Sequence, residues 1–440
     1  MKENSPPLDW SSSNAKLIVM DMLDCYWQKG SDKILNLPVA QTNVIPSELP
    51  VKLSLVELPE WAYDCGVKGK ILVPSFWFNK WEQVPWFDVI YWMAHGFAER
   101  VWENQNGCIN SYSIKLIGWD QRLWDYAWVN RIGIFLRRWA AHTLDADEAV
   151  LFGSLPKAEL VLTHDVDAIY KTIVIRVKQS LFNLFNAVRA LVKGQPIEAL
   201  RKCLAVLRFL FSADNYMCIP HLMEIEKKYG VRSTFHFYAG ETGWKRSLRA
   251  LLIDPSYDVT NKTLQSVYVN LLQGGWHIGL HPSVLSWDHP KGIDQQRKNL
   301  EEVIGKPVKS IRQHWLRFSW GKTWNAQLQA GLTLDTTLGF NDRSGFRNSA
   351  ALRMIVASDK NYPKKLESIP MVLMDSHLYD YNMLSSKDRL ASMKCLLDEL
   401  YIVGGVGSII WHTQACGKDY GWLSGYEDLL AYWAELNSQS

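Results

Sequence analysis

The sequence predicts an α/β chain, in which parallel strands are wrapped by helices after a smaller α+β region. Two observations carry this. After Pro156, short apolar runs rich in β-branched residues alternate with segments of helical period, the pattern of a parallel sheet covered by helices. Several of the apolar runs also end in acids, arginine or histidine, and parallel barrels keep their chemistry at the carboxyl ends of strands. At 440 residues the chain is long for one domain and fits two, and 48% hydrophobic with 21% charged residues excludes a disordered chain.

Residues 1–155 read as an accessory domain. Within it 69–74 reads as a strand, and 86–103 and 122–141 read as Trp-rich helices. Only His95 and His142 of the eleven histidines lie there, so its chemistry is sparse and a packing or substrate-presenting role is expected. Residues 156–440 read as the main domain. Its strands are expected at 159–164, 232–238, 276–281, 308–314, 334–340, 369–374 and 408–412. Its helices are expected at 216–229, 262–273, 293–304, 322–330 and 389–401. The 21 Trp residues offer aromatic faces that suit sugar rings, although most such side chains serve packing.

The first strand carries the most informative residues, Thr163-His164-Asp165-Val166-Asp167. Side chains alternate along a strand, so Thr163, Asp165 and Asp167 project from one face and His164 from the other. Two acids on one face repel unless a cation or proton intervenes, which invites a metal or a general base; an isolated Asp-x-Asp serves equally well as a helix cap. Three later strands end similarly. Residues 275–283 present His281 between Gly279 and Pro282, residues 310–315 place Arg312 and His314 on one face, and residues 407–414 end an apolar run in His412. Together they describe one site.

This order of acidic pair, His-Pro, Arg strand and terminal Trp-His strand resembles the polysaccharide deacetylases of carbohydrate esterase family 4, with their NodB-like fold. The likeness runs from about Pro156 to the C-terminus. It is closest to a bacterial branch whose first motif is Ser/Thr-His-Asp-Val-Asp, and 312–318 and 335–340 are similar to that branch in particular. Two residues depart from the usual family pattern: Val166 separates acids that are usually adjacent, and Leu285 stands where a second histidine usually follows the first by four residues. The resemblance implies an irregular (β/α) barrel, often of seven strands, and a metal-dependent hydrolase that removes an acetyl group from a sugar. It implies Asp165 as base, Asp167 and His281 as metal ligands, Arg312 as the residue that keeps Asp165 ionised and oriented, and His412 as acid. Zinc suits a mixed N/O ligand set best.

For the third ligand His314 is preferred, because it shares a face with Arg312. His277 is excluded, since four residues of strand span roughly 13 Å. His164, Ser286, Asp288 and a water stay open. Asp335, Arg347 and Asp375 stand at or near strand ends and either contact substrate or cap helices. The alternatives to a deacetylase are a non-catalytic carbohydrate-binding relative, for which Leu285 speaks, and another amide or ester hydrolase on the same fold.

A net charge of +3 and the lack of helix-turn-helix, zinc-finger or RNA-binding signatures argue against nucleic acid as a partner. Seven scattered cysteines, with no Cys-x-x-Cys pair, suit free thiols in a reducing compartment. Residues 1–7 lack the apolar run of a signal peptide, so a cytoplasmic protein acting during glycan assembly is expected. A basic helical insertion is expected at 170–215. From Tyr170 to Phe211 eight Lys and Arg, among them Lys171, Arg176, Arg189, Lys193 and Lys202, face the single acid Glu198 and alternate with apolar residues. Such a pair of helices, broken at 194–196, fits either an anionic membrane surface or a hairpin with a solvated basic face.

Overall fold

The computed structural model describes residues 10–438 apart from 78–79, 193, 244–245, 248–249, 251–252, 359–364 and 383. Lys193 of the basic segment, and residues 1–7 read for a leader, lie outside the described residues.

Two strands pair early in the chain. β1 (Leu53–Glu57) and β2 (Lys70–Pro74) are antiparallel, from Leu53 opposite Pro74 to Glu57 opposite Lys70. The helix expected over 86–103 is two helices, Trp86–Ala94 and Phe97–Asn106. The chain breaks at Gly96, whose φ of 56° is left-handed and whose Cβ position lies 2.2 Å from the Trp320 ring, so only glycine fits. The next long helix starts at Trp128 rather than at 122, because Asp120 instead caps a short turn, Gln121–Trp124. Helix Trp128–Thr143 reaches the second half of the chain through Asn130, whose side chain bonds the Ala351 carbonyl at 3.0 Å and accepts the Ala351 N–H at 2.8 Å. A buried Arg131–Glu399 salt bridge and a buried Arg347–Glu99 pair add to that contact.

The rest is a curled mixed sheet with helices around it. Its strands are β3 (Glu159–Val166), β4 (Thr234–Phe237), β5 (His277–Leu280), β6 (Ser310–Ile311), β7 (Leu334–Asp335), β8 (Met354–Ser358), β9 (Lys365–Ser368), β10 (Met371–Met374) and β11 (Val406–Ile410). The order is β10-β11-β3-β4-β5-β6-β7-β9-β8, and all neighbours are parallel except β8 and β9. Among the described residues nine strands therefore stand where about seven were expected; β8 and β9 were absent from the expected set. β9 reads Lys-Leu-Glu-Ser and β8 is mostly half-exposed, so neither carries the continuous apolar run of a strand buried on both faces. β9 leads into β10 through Ile369 and Pro370 alone, so one stretch of chain borders β7 at its start and β11 at its end.

Because these strands run parallel, their carboxyl ends share one rim. Asp165 lies within β3 and Asp167 just past it. His281 follows β5, Arg312 and His314 follow β6, Asp375 follows β10, and His412 follows β11.

Candidate active site

The alternation of β3 sorts its residues. His164 turns away from the rim into a buried network: its Nδ1 donates to the Trp411 carbonyl at 2.6 Å, and its Nε2 lies 2.7 Å from Glu226. Glu226 also accepts from Tyr426 at 2.7 Å and from Ser233 at 2.9 Å. His164 is thus a packing residue. Thr163, Asp165 and Asp167 face the other way.

Asp167 is the centre of the site. Its Oδ1 lies 3.4 Å from His281 Nε2 and 3.7 Å from His314 Nε2, and its Oδ2 lies 3.6 Å from His412 Nε2. Burial alone would raise its pKa, but the three imidazoles hold the carboxyl far below the usual carboxylate range. One ligand atom from each of Asp167, His281 and His314 falls within 4.8 Å of the others. Asp167 Oδ1 is buried and has no hydrogen-bond partner among the described residues. A buried, ionised oxygen without a partner, facing two imidazole nitrogens, fits a divalent cation.

Both imidazoles are oriented from behind. His281 Nδ1 donates to the Arg312 carbonyl at 2.8 Å, and His314 Nδ1 donates to Asp254 Oδ1 at 3.0 Å. With Nδ1 occupied in each ring, the Nε2 atoms are left to face Asp167, as histidine ligands are arranged around metals. Burial lowers the His281 pKa, yet Asp165 and Asp167 outweigh it and the net shift is upward. For His314 burial prevails and the net shift is downward. Asp254 in turn accepts from the Ser283 hydroxyl at 2.5 Å and the Val284 N–H at 2.8 Å. His314 does not continue a strand: β6 ends at Ile311, and His314–Leu316 forms a single turn in which Trp315 has φ 57° and Leu316 φ 45°. Such left-handed backbone at residues with side chains is strained and collects at functional sites.

Asp165 sits beside this cluster, 3% exposed, and its Oδ1 has no hydrogen-bond partner among the described residues. Facing it at 3.6 Å is Nδ1 of His236, also unpartnered. Burial first, then the charge of Arg312, keeps His236 neutral. Gly279 makes room for that ring: a Cβ there would lie 2.3 Å from His236 Cδ2. Arg312 is fully buried and donates to Thr336 Oγ1 at 3.0 Å and Thr163 Oγ1 at 2.8 Å. It makes no salt bridge with Asp165 among the described residues, and its Nη1 has no partner. Its influence on Asp165 is therefore one of field rather than contact.

His412 is held by Asp375 from two sides. His412 Nδ1 donates to Asp375 Oδ1 at 2.8 Å, and its backbone N–H donates to Oδ2 at 2.7 Å. Burial opposes protonation, but Asp375, Asp167 and Asp165 raise its pKa to about 10. Asp375 is thus neither a helix cap nor a lone group at a strand end.

Other residues singled out in the sequence lie elsewhere. His277 is exposed at the opposite end of β5, and Leu285 is 41% exposed. Ser286 is engaged in its own loop with Ser283 and Gln296, and Asp288 is 4.0 Å from Lys322. Asp335 and Arg347, expected to contact substrate or cap helices, cap no helix among the described residues and are buried in internal bonds. Asp335 is a buried acceptor for Trp324, Gln327 and Thr337, and Arg347 joins Glu99 to the Gly339 carbonyl. Asp254 and His236 were missed. His236 was signalled by its inward place in Thr-Phe-His-Phe; nothing in the sequence pattern signalled Asp254.

A cleft of about 790 Å³ opens over these groups, lined by Asp165, Asp167, His281, His314 and His412 and by the aromatic rings of Trp315, Tyr381, Tyr420 and Trp422. Its far wall is the first half of helix Ile173–Val192. The cleft thus has a charged floor under aromatic and apolar walls.

No family model matches the chain, and no curated protein matches it. Among solved structures it is similar to a candidate polysaccharide deacetylase from Mycobacterium smegmatis, at 16% identity and TM-score 0.38 over 64% of this chain and 86% of that one. It is also similar to a polysaccharide deacetylase from Bacillus cereus, at 10% identity and TM-score 0.32 over 62% and 86% of the two chains. A third is a family 4 pseudoenzyme from Bacillus anthracis, at 10% identity and TM-score 0.28 over 64% and 62%.

Proposed function

We propose that this chain is a metal-dependent hydrolase of the carbohydrate esterase family 4 type, removing an N-acyl group, acetyl foremost, from a sugar of a bacterial polysaccharide or its lipid-linked precursor. The observation that carries this reading is the buried, unpartnered Asp167 Oδ1 facing the Nε2 atoms of His281 and His314, with Asp165 and His412 on either side.

Asp167, His281 and His314 would hold a divalent ion, zinc by its ligand preference. A bound ion there supplies Lewis acidity toward the acyl carbonyl and makes a nearby water more acidic. Asp165, which lines the cleft, takes the proton of the attacking water, and neutral His236 lies 3.6 Å from its buried Oδ1. Arg312 is close enough to Asp165 for their charges to interact without contact. His412, kept protonated by Asp375, gives its Nε2 proton to the departing amine. The aromatic walls hold the sugar against this floor.

The carbohydrate-binding alternative rests on Leu285, but His314 supplies a second imidazole where Leu285 cannot. Acetate release from N-acetylated oligosaccharides by metal-loaded protein tests the reading. Release that disappears in Asp165→Asn supports it; metal and sugar binding without any release favours the binding relative.

A further inference from the structure

The two helices that follow the Asp-Val-Asp segment have their polarity turned inside out. In helix Ile173–Val192 the buried positions are Ser180, Asn183, Asn186, Ala187 and Ala190. The outward positions are large and apolar, with Leu184 50%, Phe185 63%, Val188 56% and Leu191 59% exposed. Helix Pro196–Phe211 repeats the pattern, turning Leu200, Leu204 and Leu207 outward while Ala199 packs on Ala190 at the seam. Small residues between helices with large apolar side chains outside suit lipid surroundings, whereas in water so large an apolar face is unfavourable.

Four of the eight cations expected to form the outer face are instead drawn inward. Lys171 pairs with Asp419 at 2.5 Å, Arg176 donates to the Leu210 and Ser212 carbonyls at 2.8 Å, Arg189 donates to the Tyr381 carbonyl at 2.8 Å, and Lys202 lies 3.1 Å from Asp380. Lys171, Arg189 and Lys202 fasten the hairpin to the body, and Arg176 ties its two helices together. What remains outside is chiefly apolar area, with Arg201 and Arg208 as exposed cations on the second helix.

We propose that the hairpin 173–211 lies with its outer face in the interfacial layer of a lipid bilayer, and that the cleft takes an amphiphile whose hydrocarbon part stays in that layer. The second half rests on the hydrolase reading; the first does not. The cleft decides between occupants. Ile173, Val174, Val177 and Leu181 belong both to the exposed face and to the cleft wall. A second copy or another protein seated there would roof the cleft, while a bilayer leaves it open to a lipid-borne substrate moving laterally. No helix among the described residues is long and apolar enough to cross a membrane, so the hairpin lies on the bilayer rather than spanning it.

The test uses the full chain with phosphatidylcholine vesicles, with and without phosphatidylglycerol, at low and high salt. Binding is expected to both vesicle types and to change less than about twofold with salt. Phe185→Glu combined with Leu191→Glu, both outside the cleft lining, should weaken it about tenfold or more while metal content stays unchanged. A polarity-sensitive fluorophore on exposed Cys203, in a chain also carrying Cys25→Ser and Cys395→Ser, should shift to the blue when vesicles are added. Absence of binding, binding only to anionic vesicles at low salt, an unshifted label, or a stable dimer in solution that the glutamates dissociate would each overturn the bilayer assignment. For the substrate half, an alkyl N-acetylhexosaminide held in vesicles should be hydrolysed with a kcat/KM about tenfold or more above that of the same sugar without its chain. Equal values would overturn that half and leave the hydrolase reading intact. Turnover of neither would overturn both of these and leave the vesicle result standing.

Discussion

Asp254 Oδ1 accepts the Nδ1 proton of His314 at 3.0 Å and thereby turns His314 Nε2 toward Asp167. Removing this acceptor leaves the imidazole without a fixed tautomer or orientation. Asp254→Ala should therefore lower metal affinity by about 10- to 100-fold, read by competition with a chelating dye. Unchanged affinity would mean that His314 is not a ligand.

The two acids of β3 should separate by role. Asp165→Asn should abolish turnover with metal still bound, because Asp165 Oδ1 faces His236 rather than His281 and His314. Asp167→Asn should lose both. Metal content and acetate release measured on the same preparations check this, and equal metal loss in both variants would reject the division.

With the acid role proposed for it, His412→Ala should reduce amide hydrolysis about 100-fold or more and spare metal affinity. An ester with a good leaving group needs little of that proton and should suffer much less. Equal losses for amide and ester would give His412 another role.

The same residue predicts a pH dependence of stability in chelator-treated protein. Its pKa is raised to about 10 in the fold, chiefly by Asp375 against the opposing effect of burial. The charged pair therefore adds stability that is full below the unfolded pKa of about 6.5 and is lost as pH rises through the folded value. Urea unfolding of wild type and His412→Gln should differ most near pH 6 and converge toward pH 10. A difference that grows with pH would contradict the assignment.

The site was legible wherever a strand carried it. Alternation along 163–167 separated His164 from Asp165 and Asp167, and the parallel pattern brought His281, Arg312 and His412 to the same rim. Residues acting from outside the strands were not legible. Asp254 comes from an irregular segment with no period, and it acts through Ser283, Val284 and His314, which only the fold brings to it. Asp375 was noticed, but its grip on both ends of His412 depends on β10 lying beside β11. Arg312 shows the opposite case: its expected pairing with Asp165 is replaced by the hydroxyls of Thr163 and Thr336. The polarity of the 173–211 hairpin could not be read from composition, because which side faces inward is set by the body it packs on.

The most direct test is metal analysis of protein purified without chelators, together with Asp167→Asn, His281→Ala and His314→Ala variants. A site built from these three residues predicts about one divalent ion per wild-type chain and clear loss in each variant. A wild-type chain that binds no ion, or variants that keep it, would contradict the account.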